Sequence, residues 1–498
     1  MDWLGAGWPN TGLLDTLWLG SANYDAARFI LQRGIAAIFV LAFISSALQF
    51  PALLGERGLL PTPRRPERGT FPPGPSLFHW RYSDRLLRAV AWGGAALALS
   101  VVLGLPQLGP PWVPMIAFLA LWLGYLSIVN VGRVFYGFGW EILLLEAGFL
   151  AAFLGSNQST TPVITIWLFR WLVFRLEFGA GMIKMRGDRV WRDLTALYYH
   201  HETQPMPNPL SWFFHHLPKP LHKAEVLGNH FAQLVVPFLL FAPQPVAAWA
   251  AAVVVVTQLW LVLSGNFAWL NALTLVLACS AVGDGALGVS VLAGIVPAAG
   301  VAAAAVLFPG GTQVPGMPGW FSGVVLLMGG LMALLAWRPL RNLFSPNQLM
   351  NASFNRWRLG NAYGAFGSIT RVRREVVVEG WDGSQWREYG FRGKPGEVGR
   401  LPRQFAPYHL RLDWMMWFLA LGQPGMGWFL PFLDKLLGAD PATLKLLRSD
   451  PFGGAAPLMV RARVEIYRFT SWREWRSTGE WWVREPLGML VPPRRLGG

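Results

Sequence analysis

Ionisable side chains are concentrated between Trp167 and Asn229, in or beside a segment apolar enough to lie in a membrane. A charge in the hydrocarbon is costly unless it is paired or faces a cavity. Glu177 is seven residues from both Arg170 and Lys184, so the three share one face of a continuous helix. Two interpretations remain open. One is a ladder of buried ion pairs; the other is a polar cavity in which a desolvated Lys184 serves as a base or an anion clamp.

Two carboxylates, Glu141 and Glu146, precede this segment, and the simplest interpretation is that they neutralise Arg170 or Arg175. Six of the eight histidines follow it, at His200, His201, His215, His216, His222 and His230. Their spacing matches no zinc motif. The sequence therefore predicts packing and hydrogen-bonding roles for them, with no metal and no cofactor.

The residues predicted to line the polar cavity are drawn from this whole region, and Lys184 is the candidate catalytic group. The other members of the set are Arg170, Arg175, Glu177, Glu141, Glu146, Asp188, Arg192, Asp193, His200, His201, Glu202, Asn208, Asn229 and His230.

The elements that must position these residues are membrane helices. Hydrophobic residues make up 53% of the 498, and charged residues only 14%, against about 25% in soluble domains. About twenty apolar residues span a bilayer. We count ten candidate spans, or nine, because the last three have poor boundaries: Ile30–Phe50, Ala89–Leu105, Val113–Val131, Trp140–Phe153, Val163–Phe178, Leu227–Phe241, Ala247–Leu263, Phe267–Val282, Val289–Leu307 and Gly323–Trp337.

Residues 1–340 are thus predicted to form a polytopic α-helical bundle with long polar loops at 51–88 and 185–224. Residues 341–498 are predicted to form a small soluble β-rich domain with interrupting helices. Its strands are expected at Thr370–Glu379, Gln385–Arg392, Met459–Thr470 and Glu480–Glu485, with a hairpin turn at Asp382 and Gly383. The helices at His409–Leu421 and Trp428–Leu437 are expected to lie on the bilayer surface.

The net charge of +15 suits contact with anionic lipid head groups. The basic residues do not form a clustered face with base-stacking aromatics, so nucleic acid is not an expected partner. The expected partner is the lipid bilayer.

The central residues resemble the lipase maturation factor family of membrane proteins. The matching stretch runs from Arg170 to Thr195 (R-W-L-V-F-R-L-E-F-G-A-G-M-I-K-M-R-G-D-R-V-W-R-D-L-T) and continues as H-H-E-T-Q-P-M-P-N-P to Pro209. Shorter matches are Tyr24–Arg33, Gly137–Glu141, Asn229–Phe231, Asn361–Gly367 and Trp481–Pro486. The resemblance implies a multispan domain, a C-terminal non-membrane domain, and a role in the folding or assembly of client proteins such as dimeric lipases. It implies an endoplasmic reticulum membrane for the eukaryotic members, while the Arg-rich, Cys-poor composition here suggests a bacterial inner membrane.

A weaker similarity connects Ala180–Lys184 to the A-G-x-x-K segment of vitamin K-dependent γ-carboxylases, in which the matching lysine is the catalytic base. Two hypotheses result. The favoured one is a membrane-embedded maturation factor whose clients bind an exposed aromatic surface at Trp381, Trp386, Trp414 and Trp417. The alternative is a membrane enzyme that acts on a lipid-soluble substrate with Lys184 as base.

Overall fold

The computed structural model describes residues 24–63, 74–286, 316–423 and 427–495. Its α-helices are α1 Asp25–Leu54, α2 Asp84–Val102, α3 Trp112–Val131, α4 Gly139–Ala151, α5 Val163–Arg186, α6 Arg189–Arg192, α7 Leu197–Thr203, α8 Ser211–His215, α9 Lys219–Leu234, α10 Val236–Leu239, α11 Val246–Ser264, α12 Leu270–Ala278, α13 Asp284–Ala286, α14 Gly319–Phe344, α15 Arg411–Ala420, α16 Phe429–Leu437, α17 Pro441–Leu444 and α18 Trp472–Thr478. Its strands are β1 Arg373–Trp381, β2 Trp386–Glu388, β3 Met459–Phe469 and β4 Trp482–Arg494.

Five of the described helices are long and apolar enough to cross a membrane: α1, α2, α3, α11 and α14. Their 19 to 30 residues match the thickness of the hydrocarbon. The chain is therefore an integral membrane protein. The predicted number of spans is not confirmed by these helices, and the segment Val289–Leu307 lies outside the described residues.

Three predicted spans are shorter than a membrane crossing requires. Helix α4 has only 13 residues, all of them buried by neighbouring helices. The segment 227–241 breaks after Leu234, because Pro237 has no amide hydrogen to continue the ladder. The segment 267–282 forms α12 and then a 3-10 turn at Cys279–Ala281. The apolar composition of α4 reflects burial in protein, whereas Leu227, Phe231 and Phe238 of the segment 227–241 are exposed.

Helix α5 is the central element of the bundle. It has 24 residues, with Arg170, Arg175, Glu177 and Lys184 all buried, and it contacts α4, α9, α12 and α14. The predicted polar loop 185–224 is folded over its C-terminal end as the short helices α6, α7 and α8, followed by the start of α9. This part of the chain is therefore ordered by packing.

The C-terminal strands form one antiparallel sheet in the order β2-β1-β3-β4. The predicted hairpin turn is present, with the Asp382 carboxylate accepting hydrogen bonds from the amides of Ser384 and Gln385, and Gly383 in the left-handed region at φ 104°. The last strand is longer than Glu480–Glu485 and begins only at Trp482.

Helix α15 does not lie on the bilayer surface as predicted. Arg411 and Asp413 are buried, and so are Trp414 and Met416. One continuous cluster of buried apolar side chains joins the helices of the bundle to α15, α16 and the sheet, and α14 runs through the predicted boundary at residue 340. Most of the apolar surface of α15 is covered by protein, while Trp417, Phe418 and Leu419 are half-buried.

Candidate functional site

A cavity of about 870 Å³ lies where the bundle meets the C-terminal segments. Its walls come from α5, α9 and α11, from the segment 363–370 and from α15, and most of the lining side chains are apolar. Val256 and Trp260 of α11 and Phe231 of α9 line it and are also partly exposed on the outer surface. The cavity is therefore of the size and polarity that suit a small apolar ligand.

Lys184 is the cation of this cavity. Its Nζ donates hydrogen bonds to Asn229 Oδ1 and Gln233 Oε1, each at 2.8 Å, and lies 4.7 Å from the centroid of the Trp191 ring. Asn229 and Gln233 are four residues apart on α9, so both amides face α5 from one side of that helix. The three contacts hold the amine at a fixed point of the wall.

Glu177 lines the cavity close to Lys184 and does not touch it directly. Its carboxylate accepts hydrogen bonds from Gln258 Nε2 at 2.7 Å and from Gln233 Nε2 at 3.3 Å. Gln233 therefore bridges the two charges, since its oxygen accepts from Lys184 while its nitrogen donates to Glu177. Such a connected network satisfies a buried anion and a buried cation without direct ion pairing.

His200 is a further polar residue of the wall. Burial, and secondarily the charge of Lys184, lowers the pKa of His200 to about 4. Its ring packs edge-on against Phe366, with centroids 4.9 Å apart. At neutral pH the imidazole is uncharged, so His200 does not repel the Lys184 ammonium group.

The other predicted charges are held in separate clusters. Arg175 pairs with Glu146, which also accepts hydrogen bonds from the Asn361 side chain and the Tyr363 hydroxyl. Glu146 thus neutralises Arg175, as the sequence suggested.

Arg170 has no carboxylate partner among the described residues. It donates to the carbonyl oxygens of Ser280 and Leu240 and to the Tyr24 hydroxyl at 2.9 Å. It therefore lies apart from Glu177 and Lys184, although the three share one helix.

Glu141 pairs with Arg411 of α15 rather than with an arginine of α5. Arg411 Nη1 donates to Glu141 Oε1 at 2.6 Å and to the carbonyl oxygen of Phe135 at 2.8 Å, and both side chains are fully buried. Tyr125 also donates to Glu141, and His409 lies 3.6 Å away. Burial, and secondarily Arg411, lowers the pKa of His409 to about 4, so Arg411 is the principal counter-charge.

Of the predicted cavity set, Glu177, Lys184, His200 and Asn229 line the cavity. Asp188 caps α6, Asp193 pairs with Arg189, and Arg192 is exposed. Glu202 accepts from the amide of Phe469, Asn208 bonds Ser211 and Gln404, and His230 bonds the carbonyl oxygen of Trp191. His201 lies behind the wall.

Sequence reasoning missed three residues of this site: Gln233, Gln258 and Trp191. Gln258 interrupts the apolar run of α11, and a polar residue within a span is a functional signal by itself. Gln233 follows Asn229 by four residues, which places it on the same face of α9. Both signals were present in the sequence.

Comparison with known proteins finds relatives that match this chain over nearly its whole length. A family model described as the lipase maturation factor transmembrane domain matches residues 26–289, and one described as the lipase maturation factor C-terminal domain matches residues 359–492. The chain belongs to the lipase maturation factor family. Lipase maturation factor 1 from Bos taurus is 38% identical, over 95% of this chain and 90% of the relative.

Other members of the family show the same extent of similarity. Lipase maturation factor 1 from Homo sapiens is 37% identical over 96% of this chain and 89% of the relative, and lipase maturation factor 2 from Homo sapiens is 30% identical over 94% and 83%. No solved structure matches the chain at a significant level. The similarity to γ-carboxylases at Lys184 gains no support from these matches.

Proposed function

We propose that this chain is a membrane-embedded maturation factor that assists the folding or assembly of secreted client proteins, lipases among them. The observation that carries the proposal is the family relationship, which covers both the membrane helices and the C-terminal sheet at 30–38% identity. A protein related over both parts has the elements needed to sit in a membrane and to offer a folded surface to a client. The type of membrane, bacterial inner or endoplasmic reticulum, stays a prediction.

The surface best suited to a client is the outer edge of the sheet. The four tryptophans expected to form it do not share an open face, since Trp414 is buried and the others are half-buried. Strand β4 instead lies at the end of the sheet and exposes Leu487, Met489 and Leu490. An exposed edge strand with apolar side chains is a ready template for an incompletely folded chain.

Substituting Met489→Glu on the full chain should therefore weaken the capture of a newly made lipase. The test is co-purification of an inactive, newly synthesised lipase with the protein from detergent-solubilised membranes. We expect retention by the wild type and a fall of about tenfold for M489E, the factor that 1.4 kcal/mol of lost binding produces.

The matched control is Leu458→Glu, because Leu458 is at least as exposed as Met489 but precedes β3 and lies outside the edge strand. Equal loss with both substitutions would contradict the assignment of the surface. Retention of the lipase no greater than that of an unrelated secreted protein would contradict the client-binding function itself.

The cavity supports a second candidate function, the binding of a lipid-soluble amphiphile. Its apolar walls and the exposed side chains at its border between α9 and α11 suit an acyl chain, and Lys184 suits an anionic head group. The relatives that match this chain give no support to catalysis by Lys184 as a base.

A further inference from the structure

Three side chains with metal-binding atoms meet behind the cavity wall. His201 comes from α7, and His222 and Glu225 come from α9. One ligand atom of each lies within 4.8 Å of those of the other two. His222 and Glu225 are three residues apart and so project from one face of their helix, while the His201 ring lies 5.7 Å from the His222 ring between centroids.

The imidazole of His201 is unsatisfied by the protein around it. The residue is only 1% exposed, and neither ring nitrogen has a hydrogen-bond partner among the described residues. The Nδ1 atom of His222 is likewise buried without a partner in that part of the chain. A buried polar group that is left without a hydrogen-bond partner lowers the stability of the fold. Packing alone therefore gives no reason for these nitrogens to converge.

The surrounding contacts orient the donors for a cation. His222 Nε2 faces the carbonyl oxygen of His215 at 3.3 Å, and a proton on that nitrogen leaves the lone pair on Nδ1. The indole nitrogen of Trp260 donates to Glu225 Oε1 at 2.6 Å and fixes the carboxylate. Outer partners of this kind orient the ligands in known metal sites.

We propose that His201, His222 and Glu225 bind a divalent transition-metal ion of the zinc class. Two imidazole nitrogens and one carboxylate oxygen are the protein ligands of a common type of zinc site that keeps a fourth position open. Imidazole donors favour zinc and its neighbours over magnesium or calcium, which prefer oxygen. Glu225 also forms part of the cavity wall, so the open position takes water or an anionic group from the cavity.

This site goes beyond the proposed maturation function and does not depend on it. The sequence predicted no metal, because the three ligands belong to two helices and form no recognised motif. Their convergence results from the packing of α7 on the first turns of α9.

The test uses the full chain in detergent and zinc as the probe. The ion content of the purified protein is measured by mass spectrometry, and affinity is measured after chelation by competition with a chromophoric chelator. We expect one zinc ion per chain in the wild type. Loss of an outer-shell partner typically weakens metal binding roughly 10–100-fold, so His201→Gln or Glu225→Gln, which removes a direct ligand, should weaken it at least as much.

The matched control is His216→Gln, which changes a histidine of the same region whose Nδ1 faces the carbonyl oxygen of Trp212. Its affinity should equal that of the wild type. Zinc should also raise the unfolding temperature of the wild type and the control, but not of H201Q or E225Q. Glu225→Gln retains an oxygen for Trp260, so it stays informative if H201Q does not fold.

The site would be overturned if H201Q and E225Q bound zinc as tightly as the wild type does. This result does not depend on any lipase, so failure of the metal site is distinguishable from failure of the maturation function.

Discussion

Replacing Arg411 by methionine should lower the free energy of unfolding by about 3–5 kcal/mol, the cost of removing one partner from a buried ion pair. Arg411 and Glu141 are both fully buried, and the guanidinium lies 3.5 Å from the centroid of the Tyr136 ring. Without Arg411, the Glu141 carboxylate keeps only neutral donors around it. The change in stability is measured by denaturant unfolding of the purified full chain in mild detergent.

The double variant Arg411→Met with Glu141→Gln should recover most of this loss, because it removes both charges together. The surface control is Arg374→Met, since Arg374 is exposed on β1 and such changes usually stay within about 0.5 kcal/mol. A double variant as unstable as R411M would show that lost packing, rather than the uncompensated carboxylate, causes the effect. A single variant as stable as R374M would contradict the coupling between the bundle and α15.

Filling the cavity should abolish most of its capacity for an amphiphile. Gly228 of α9 lines the cavity, and a Cβ atom added there has no other atom within 4 Å, so the side chain of Gly228→Leu begins in open space. We expect the affinity for a labelled long-chain fatty acid to fall about tenfold or more, which corresponds to 1.4 kcal/mol or more of lost binding. The measurement is equilibrium binding to the full chain in detergent.

The matched control is Gly330→Leu, because Gly330 lies in α14 with equally open surroundings and does not line the cavity. Both substitutions replace glycine in a helix, so both should stabilise the helix by about 1 kcal/mol. Equal fatty-acid binding by G228L, G330L and the wild type would remove the cavity as the binding site.

The sequence predicted those features that depend on local pattern. Period-two alternation identified β1 and β3, and the Asp382–Gly383 pair identified the turn between β1 and β2. Charges in an apolar segment identified α5 as the central polar helix, and the prediction that Glu141 and Glu146 neutralise Arg170 or Arg175 is met by the pair of Glu146 with Arg175. In each case the residues that interact are close in the chain, or the cost of an unpaired charge in oil leaves few alternatives.

The predictions that the structure does not support concern contacts between segments that are distant in the chain. The true partner of Glu141 is 270 residues away, on a helix predicted to lie on lipid. The predicted span 140–153 is not confirmed, since it contains the 13-residue helix α4, whose buried residues are covered by neighbours from the rest of the fold. Apolar content reports burial, and it does not distinguish burial in lipid from burial in protein.

The most direct test of the maturation function uses cells that lack their own lipase maturation factor and secrete a lipase. The full chain is expressed there, and the ratio of lipase activity to lipase protein in the medium is measured against an empty vector. The family relationship predicts that the ratio rises while the secretion of an unrelated protein is unchanged. A ratio that stays at the empty-vector level, with the chain folded and present in the membrane, would contradict the proposal.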